Sequence, residues 1–159
     1  MRGLLEAYCE RNRKIYAADS FQGLPKPDEK KYSSDKGAAF HKNRLMAVSL
    51  EQVKENFARY NLLDDQIVFL QGWFKDTLPK APIDKLAILR LDGDMYGSTI
   101  EALENLYPKL SIGGYCIIDD YGALQGCRNA VDNYRERKNI KEKIQFVDWS
   151  GVYWRKTSP

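Results

Sequence analysis

Apolar residues along the chain fall into blocks of two kinds. Short, nearly continuous runs at 14–18, 67–70, 86–91 and 115–118 read as buried strands. Between them, apolar positions recur at helical spacing. Leu4, Leu5 and Tyr8 share a face, so residues 1–12 read as the end of a helix. A helix from Ser49 opens on the capping box Ser49-Leu50-Glu51-Gln52 and carries the stripe Leu50, Val53, Phe57, Tyr60. A second box, Ser98-Thr99-Ile100-Glu101, opens a helix with Ile100, Leu103, Leu106 and Leu110 inward, and 111–114 stops it. Residues 126–137 form a helix buried on Ala130, Val131 and Tyr134. A turn of helix is expected near 73–77, and 144–148 with 151–155 read as a terminal hairpin. The polar, Pro- and Lys-rich stretch 21–36 reads as a mobile loop. Strands alternating with helices predict a single α/β domain over 1–159, its sheet mostly parallel with a C-terminal antiparallel hairpin.

Composition narrows the class without naming a function. With 159 residues, 43% hydrophobic and 30% charged, the chain supports one ordinary globular core. A net charge of +3 is too mild to suggest nucleic acid. No apolar stretch approaches the roughly 20 residues of a membrane span, and no signal peptide is visible. Cys9, Cys116 and Cys127 have no CxxC spacing, which suits reduced thiols in a cytoplasmic protein.

Chemistry concentrates at strand ends. Ligands of open α/β sheets bind beyond the carboxyl ends of the strands. Three predicted strands end in acid: at Asp19, at Asp92 with Asp94, and at Asp119 with Asp120. Asp at such a place is commonly a helix cap or turn former, and Asp94 is read first that way. Asp92 with the adjacent pair Asp119-Asp120 is harder to explain so, because like charges resist joint ionisation unless a cation sits among them. All-oxygen ligands favour a hard ion such as Mg²⁺, held at about 2.0–2.1 Å. The lone His41 reads first as a surface histidine and second as an acid or base on a lid. Trp154 reads as core, whereas Trp73, after a glycine at a strand end, is balanced between packing and a ligand.

Five segments resemble one family. Ala18-Asp19-Ser20-Phe21-Gln22-Gly23-Leu24-Pro25, 71–79, Leu89-Arg90-Leu91-Asp92-Gly93-Asp94-Met95-Tyr96, 113–121 and Gly151-Val152-Tyr153-Trp154-Arg155 are similar, in order, to segments of macrocin O-methyltransferase-like enzymes. The resemblance implies a Rossmann-like class I methyltransferase sheet and Mg-assisted, S-adenosylmethionine-dependent methylation of a sugar or other hydroxyl of a small natural product. It implies that Asp92, Asp119 and Asp120 are the Mg²⁺ ligands, with Asp92 also the base. It places Asp19, Ser20 and Phe21 with the cofactor's ribose, Gly72 and Trp73 at its adenine, and 25–48 as a lid over the small-molecule acceptor.

The resemblance also implies a first strand and a glycine-rich cofactor loop, and no G-x-G-x-x-G turn occurs here. That strand would lie between those ending at Asp19 and Asp92, and its backbone partners need replacing. Direct pairing of the two flanking strands, exchange with a second chain to give a homo-oligomer, or a longer natural protein would each replace them. Three functions compete: an O-methyltransferase; a catalytically inactive remnant that keeps the metal-binding edge or serves oligomerisation; and a metal-dependent phosphatase, against which Asp92-Gly93-Asp94-Met95-Tyr96 lacks the expected Thr.

Overall fold

The structure, a computed structural model, describes residues 1–158. The chain divides into two compact units, one of Met1–Pro25 with Phe40–Thr77, the other of Lys26–Ala39 with Leu78–Pro159.

In the first unit, β1 (Ile15–Asp19) and β2 (Ile67–Gln71) pair in parallel, from Ile15 opposite Ile67 to Asp19 opposite Gln71. Helix α2 (Leu50–Arg59) begins as its capping box requires, with the Ser49 hydroxyl accepting from the Gln52 N–H at 3.2 Å. Leu50 is buried, and Phe57 meets the Phe69 ring edge-on at 5.8 Å. Tyr60 instead lies past the helix end and is 76% exposed. Helix α1 (Arg2–Ala7) is shorter than expected, and its apolar stripe is not buried: Leu4 and Tyr8 face solvent. The residue it buries is Arg2, whose guanidinium is held by Asp64 and Glu6. A buried charge needs such partners, and the apolar pattern carries no trace of them. A one-turn helix, α3 (Phe74–Thr77), follows β2.

The second unit is a four-stranded sheet in the order β3 (Leu86–Leu91), β4 (Leu110–Ile118), β6 (Val152–Arg155), β5 (Gln145–Phe146). β3 and β4 are parallel; the β4–β6 and β5–β6 pairs are antiparallel. The hairpin is present, with its first arm only two residues long. β4 starts earlier than the apolar run suggested, because 111–114 is a bulge within the strand rather than a helix stop. The register jumps from Leu86 opposite Leu110 to Ile88 opposite Tyr115. A Cβ at Gly114 would lie 2.8 Å from the Ala87 carbonyl, so the strand can close on β3 there only with glycine.

One sheet face carries Leu89, Leu91, Cys116, Ile118, Val152 and Trp154, all buried. Helices α4 (Tyr96–Leu106) and α5 (Gln125–Arg137) bring Ile100, Leu103 and Leu106, and Ala130, Val131 and Tyr134, to the same core. Trp154, fully buried, donates from Nε1 to the Tyr107 hydroxyl at 3.1 Å. On the other face Ile88 and Tyr115 are exposed. Burial pushes the Cys127 thiol up to about 12 and Cys116 higher still, whereas Cys9 is exposed. No ladder joins β1 to β3 among the described residues, so direct pairing of the strands ending at Asp19 and Asp92 is not how the expected gap is closed.

The start of α4 differs from the sequence pattern. The helix begins at Tyr96, and Ser98 and Thr99 are buried inside it rather than capping it. Its cap is remote. Asp35, in a short 3₁₀ turn (Ser33–Asp35), is buried and accepts from the Tyr96 N–H at 2.7 Å and the Gly97 N–H at 2.8 Å. The Tyr32 ring lies over Gly97, where a Cβ would stand 2.7 Å from it. Part of the stretch read as a mobile loop is thus tied to a helix N-terminus.

Asp35→Ala leaves two buried donors unpaired, a loss of about 1–3 kcal/mol. Ser49→Ala removes an ordinary exposed cap and costs about 1 kcal/mol. Denaturant unfolding should therefore show the larger drop for Asp35→Ala.

Candidate functional site

The parallel β1–β2 ladder places the ends of both strands at one edge, so residues distant in sequence meet. The Gly72 N–H donates to the Asp19 carbonyl at 2.9 Å. The Asp19 carboxylate is exposed and accepts from the Phe21 N–H at 2.6 Å. The Ser20 hydroxyl donates to the Gly23 carbonyl at 2.6 Å and accepts from Gln22 N–H at 3.0 Å, which fixes the turn. Phe21, at φ 56°, turns its ring inward against Phe69 at 6.2 Å and is buried. Asp19, Ser20, Phe21, Gly72 and Trp73 therefore come together, but the side chain of Phe21 serves packing. Trp73 is half-buried at the start of α3. His41, in the 3₁₀ turn Phe40–Lys42, is also half-buried, and its Nδ1 is enclosed without a hydrogen-bond partner, which fits neither a plain surface histidine nor a paired base.

The second unit gathers the other acids in the same way. Leu91 pairs with Ile118 at the carboxyl ends of β3 and β4, and the Asp119 N–H donates to the Leu91 carbonyl at 3.0 Å. Asp92, Asp94, Asp119 and Asp120 follow directly. Asp120 accepts from the Asp94 N–H at 3.3 Å, and Asp94 sits at φ 56°. Ser150 donates to the Asp119 carbonyl at 2.6 Å, tying the turn before β6 to this edge. The crowding appears in the acid strengths. Partial burial, then the charges of Asp119 and Asp120, raise Asp92. Burial raises Asp120, and burial with the Asp120 and Asp92 charges lifts Asp94 to about 6.

Sequence reasoning missed Arg90. Its guanidinium pairs with Asp119, Nε reaching Oδ1 at 3.1 Å, and lies 3.7 Å from Asp92. The acids are thus partly neutralised by the protein itself. The signal was there: a charged residue inside the otherwise apolar run 86–91. The donor chemistry suits a hard cation, and burial, with the neighbouring carboxylates after it, raises Asp92 and Asp120. Their arrangement does not close around one: among the described residues no group of three acidic, histidine or cysteine side chains is positioned to hold a metal. No helix among them is long and apolar enough to cross a membrane.

Residues 1–156 match the macrocin-O-methyltransferase (TylF) family. The demethyldecarbamoylnovobiocin O-methyltransferase of Streptomyces niveus is 52% identical over 158 residues, covering 99% of this chain and 60% of that protein. The 8-demethyl-8-(2,3-dimethoxy-alpha-L-rhamnosyl)-tetracenomycin-C 4'-O-methyltransferase of Streptomyces olivaceus is 52% identical over 159 residues, again covering 99% and 60%. The mycinamicin III 3''-O-methyltransferase of Micromonospora griseorubida is 48% identical, covering 99% and 63%. The chain thus spans about three fifths of the length of these relatives. The solved structure of the O-methyltransferase NovP superposes with a TM-score of 0.97 at 52% identity, covering 99% of this chain and 66% of that one. The calicheamicin methyltransferase CalS11 superposes at 0.71 with 20% identity, covering 97% and 65%, a likeness of fold alone. The fold is that of the α/β methyltransferases, with parallel and antiparallel strands.

The raised Asp94 gives a pH test. The folded protein holds a proton there up to about pH 6, which the unfolded chain releases near 3.8. The stability this group contributes is full below about pH 4 and lost as the pH rises through about 6. Without divalent ions, the melting temperature should rise as the pH falls from about 7 to 5, and less so in Asp94→Asn. An equal rise in both proteins would remove Asp94 as the cause.

Proposed function

The chain belongs to the macrocin-O-methyltransferase family, and on that premise we propose that it carries the acceptor-activating part of an S-adenosylmethionine-dependent, Mg²⁺-assisted O-methyltransferase acting on a sugar hydroxyl of a small natural product. The observation that carries this reading is the identity of 52% over 99% of the chain with two enzymes named as O-methyltransferases of glycosylated or related natural products.

S-adenosylmethionine supplies an electrophilic sulfonium methyl group. Asp19, exposed and with one carboxylate oxygen on the Phe21 N–H, is proposed to take the ribose hydroxyls with its free oxygen. The Ser20 turn and Phe21 hold that carboxylate in place, and Gly72 with Trp73 is proposed to border the adenine. Asp92, Asp119 and Asp120 are the residues proposed to hold Mg²⁺, which requires Asp119 to exchange Arg90 for the ion. Held there, the ion would supply Lewis acidity that lowers the pKa of an alcohol. Asp92, raised in the absence of the ion by burial and then by Asp119 and Asp120, is proposed to take the hydroxyl proton on its carboxylate. Arg90, 3.7 Å from Asp92, partly neutralises the edge. The reduced cysteines suit a cytoplasmic setting.

Calorimetry of the chain with S-adenosylmethionine, with and without Mg²⁺, joined to a labelled-methyl transfer assay on glycosylated acceptors, tests the reading. Transfer, or ion-dependent cofactor binding, is expected. Ion binding with no cofactor affinity would instead identify a remnant that keeps only its metal edge. Asp119→Asn with Asp120→Asn should abolish divalent-ion binding, because neutral amides then stand beside Asp92. Normal Mg²⁺ binding by that double variant would overturn the metal assignment.

A further inference from the structure

A cleft of about 610 Å³ lies between the tied segment around Lys31–Ser34 and the outer surfaces of α4 and α5, wholly within the second unit. That volume is typical of small-molecule sites. None of its residues belongs to the acidic edge, yet Tyr96 in its wall is two positions beyond Asp94. We propose that this cleft binds a hydroxyl-rich sugar ring, as a subsite for a glycosyl part of the acceptor. The link to methylation rests on the function proposed above; the binding itself does not.

Three features carry the proposal. The first is an aromatic lining: the rings of Tyr32 and Tyr96 stand 5.5 Å apart, tilted by 43°, both half-buried, and the Lys31 ammonium lies 4.7 Å over the Tyr32 ring, a place that a sugar face would take by displacing that flexible side chain. The C–H face of a pyranose is apolar and weakly positive, and it packs on the negative face of an aromatic ring. The second is charge balance. Lys31 and Arg137 oppose Glu104 and Glu136, so the lining is neutral and offers little to an ionic ligand. Lys31 and Arg137 are already turned to acids, at 3.7 Å from Glu101 and 3.0 Å from Glu104. The third is spare hydrogen-bonding capacity. Asn133 donates to the Tyr96 hydroxyl at 3.3 Å, which leaves its amide oxygen for a sugar hydroxyl, and the exposed Glu136 carboxylate adds acceptors.

Rigidity supports the same reading. The Asp35 carboxylate on the first turn of α4 and the Tyr32 hydroxyl, donating to Glu101 at 3.1 Å, fix the segment that forms one wall. A preorganised wall spares the ordering cost that a loose loop would incur on binding.

The test is a titration of the ¹⁵N-labelled chain with methyl α-L-rhamnopyranoside, without cofactor or metal, read by amide shifts. Saturable shifts at 31–34, 96–104 and 133–137 are expected. Tyr32→Ala and Asn133→Ala should each weaken binding about fivefold or more, whereas Tyr32→Phe, which keeps the ring and loses only the bond to Glu101, should weaken it less than Tyr32→Ala. Asn133 is exposed on α5, so its variant tests the cleft even where Tyr32→Ala disturbs the fold. Absence of saturable shifts at these residues, unchanged affinity in Asn133→Ala, or stronger shifts with inorganic phosphate than with the glycoside would each overturn the subsite. Because no methyl transfer is read, a failure here leaves the proposed activity standing, and failure of the activity leaves a bound sugar standing.

Discussion

Parallel pairing sends the carboxyl ends of neighbouring strands to the same edge, and in this chain those ends are acidic. The β3–β4 ladder brings Asp92 and Asp94 against Asp119 and Asp120, although 27 positions separate Asp92 from Asp119. Once the register is set, charge repulsion at that edge follows, and much of the surrounding structure answers it. Arg90 leans across the strand end to Asp119, the Asp94 N–H points to Asp120, and the remaining acids weaken. The bulge at 111–114 matters for the same reason, since it sets which residue of β4 arrives level with Leu91.

Much of this was legible in the residues. The apolar runs marked the four parallel-sheet strands, and the boxes and stripes marked the helices. The acid-terminated strands told where the chemistry would lie. What escaped was long-range and polar. Tyr96 begins α4 because Asp35, 61 positions earlier, satisfies its first donors. Local capping signals at Ser98-Thr99 could not reveal a cap drawn from so far away. Arg2 is buried although nothing in the apolar periodicity of α1 marks it, because burial of a charge depends on where Asp64 lands.

The site residues divide by how they were inferred. Asp19 and Gly72 meet because parallel register demands it. Phe21 is placed with them by the family resemblance, and at its positive φ the ring turns into the core against Phe69, so the backbone is what it brings to that turn. Proximity in sequence fixes where a backbone passes and not which way a side chain turns. Arg90 shows the converse: it is the one charge in an apolar run, and its partner is 29 residues away, just past the end of the next strand.

The three cysteines divide the chain's reactivity unequally. Cys116 and Cys127 are sealed in the core with acidities suppressed by burial, and Cys9 stands open beyond α1. A maleimide dye would therefore couple at a single address without mutagenesis. That gives the folded protein one native attachment point, in the first unit, for fluorescence anisotropy or surface immobilisation.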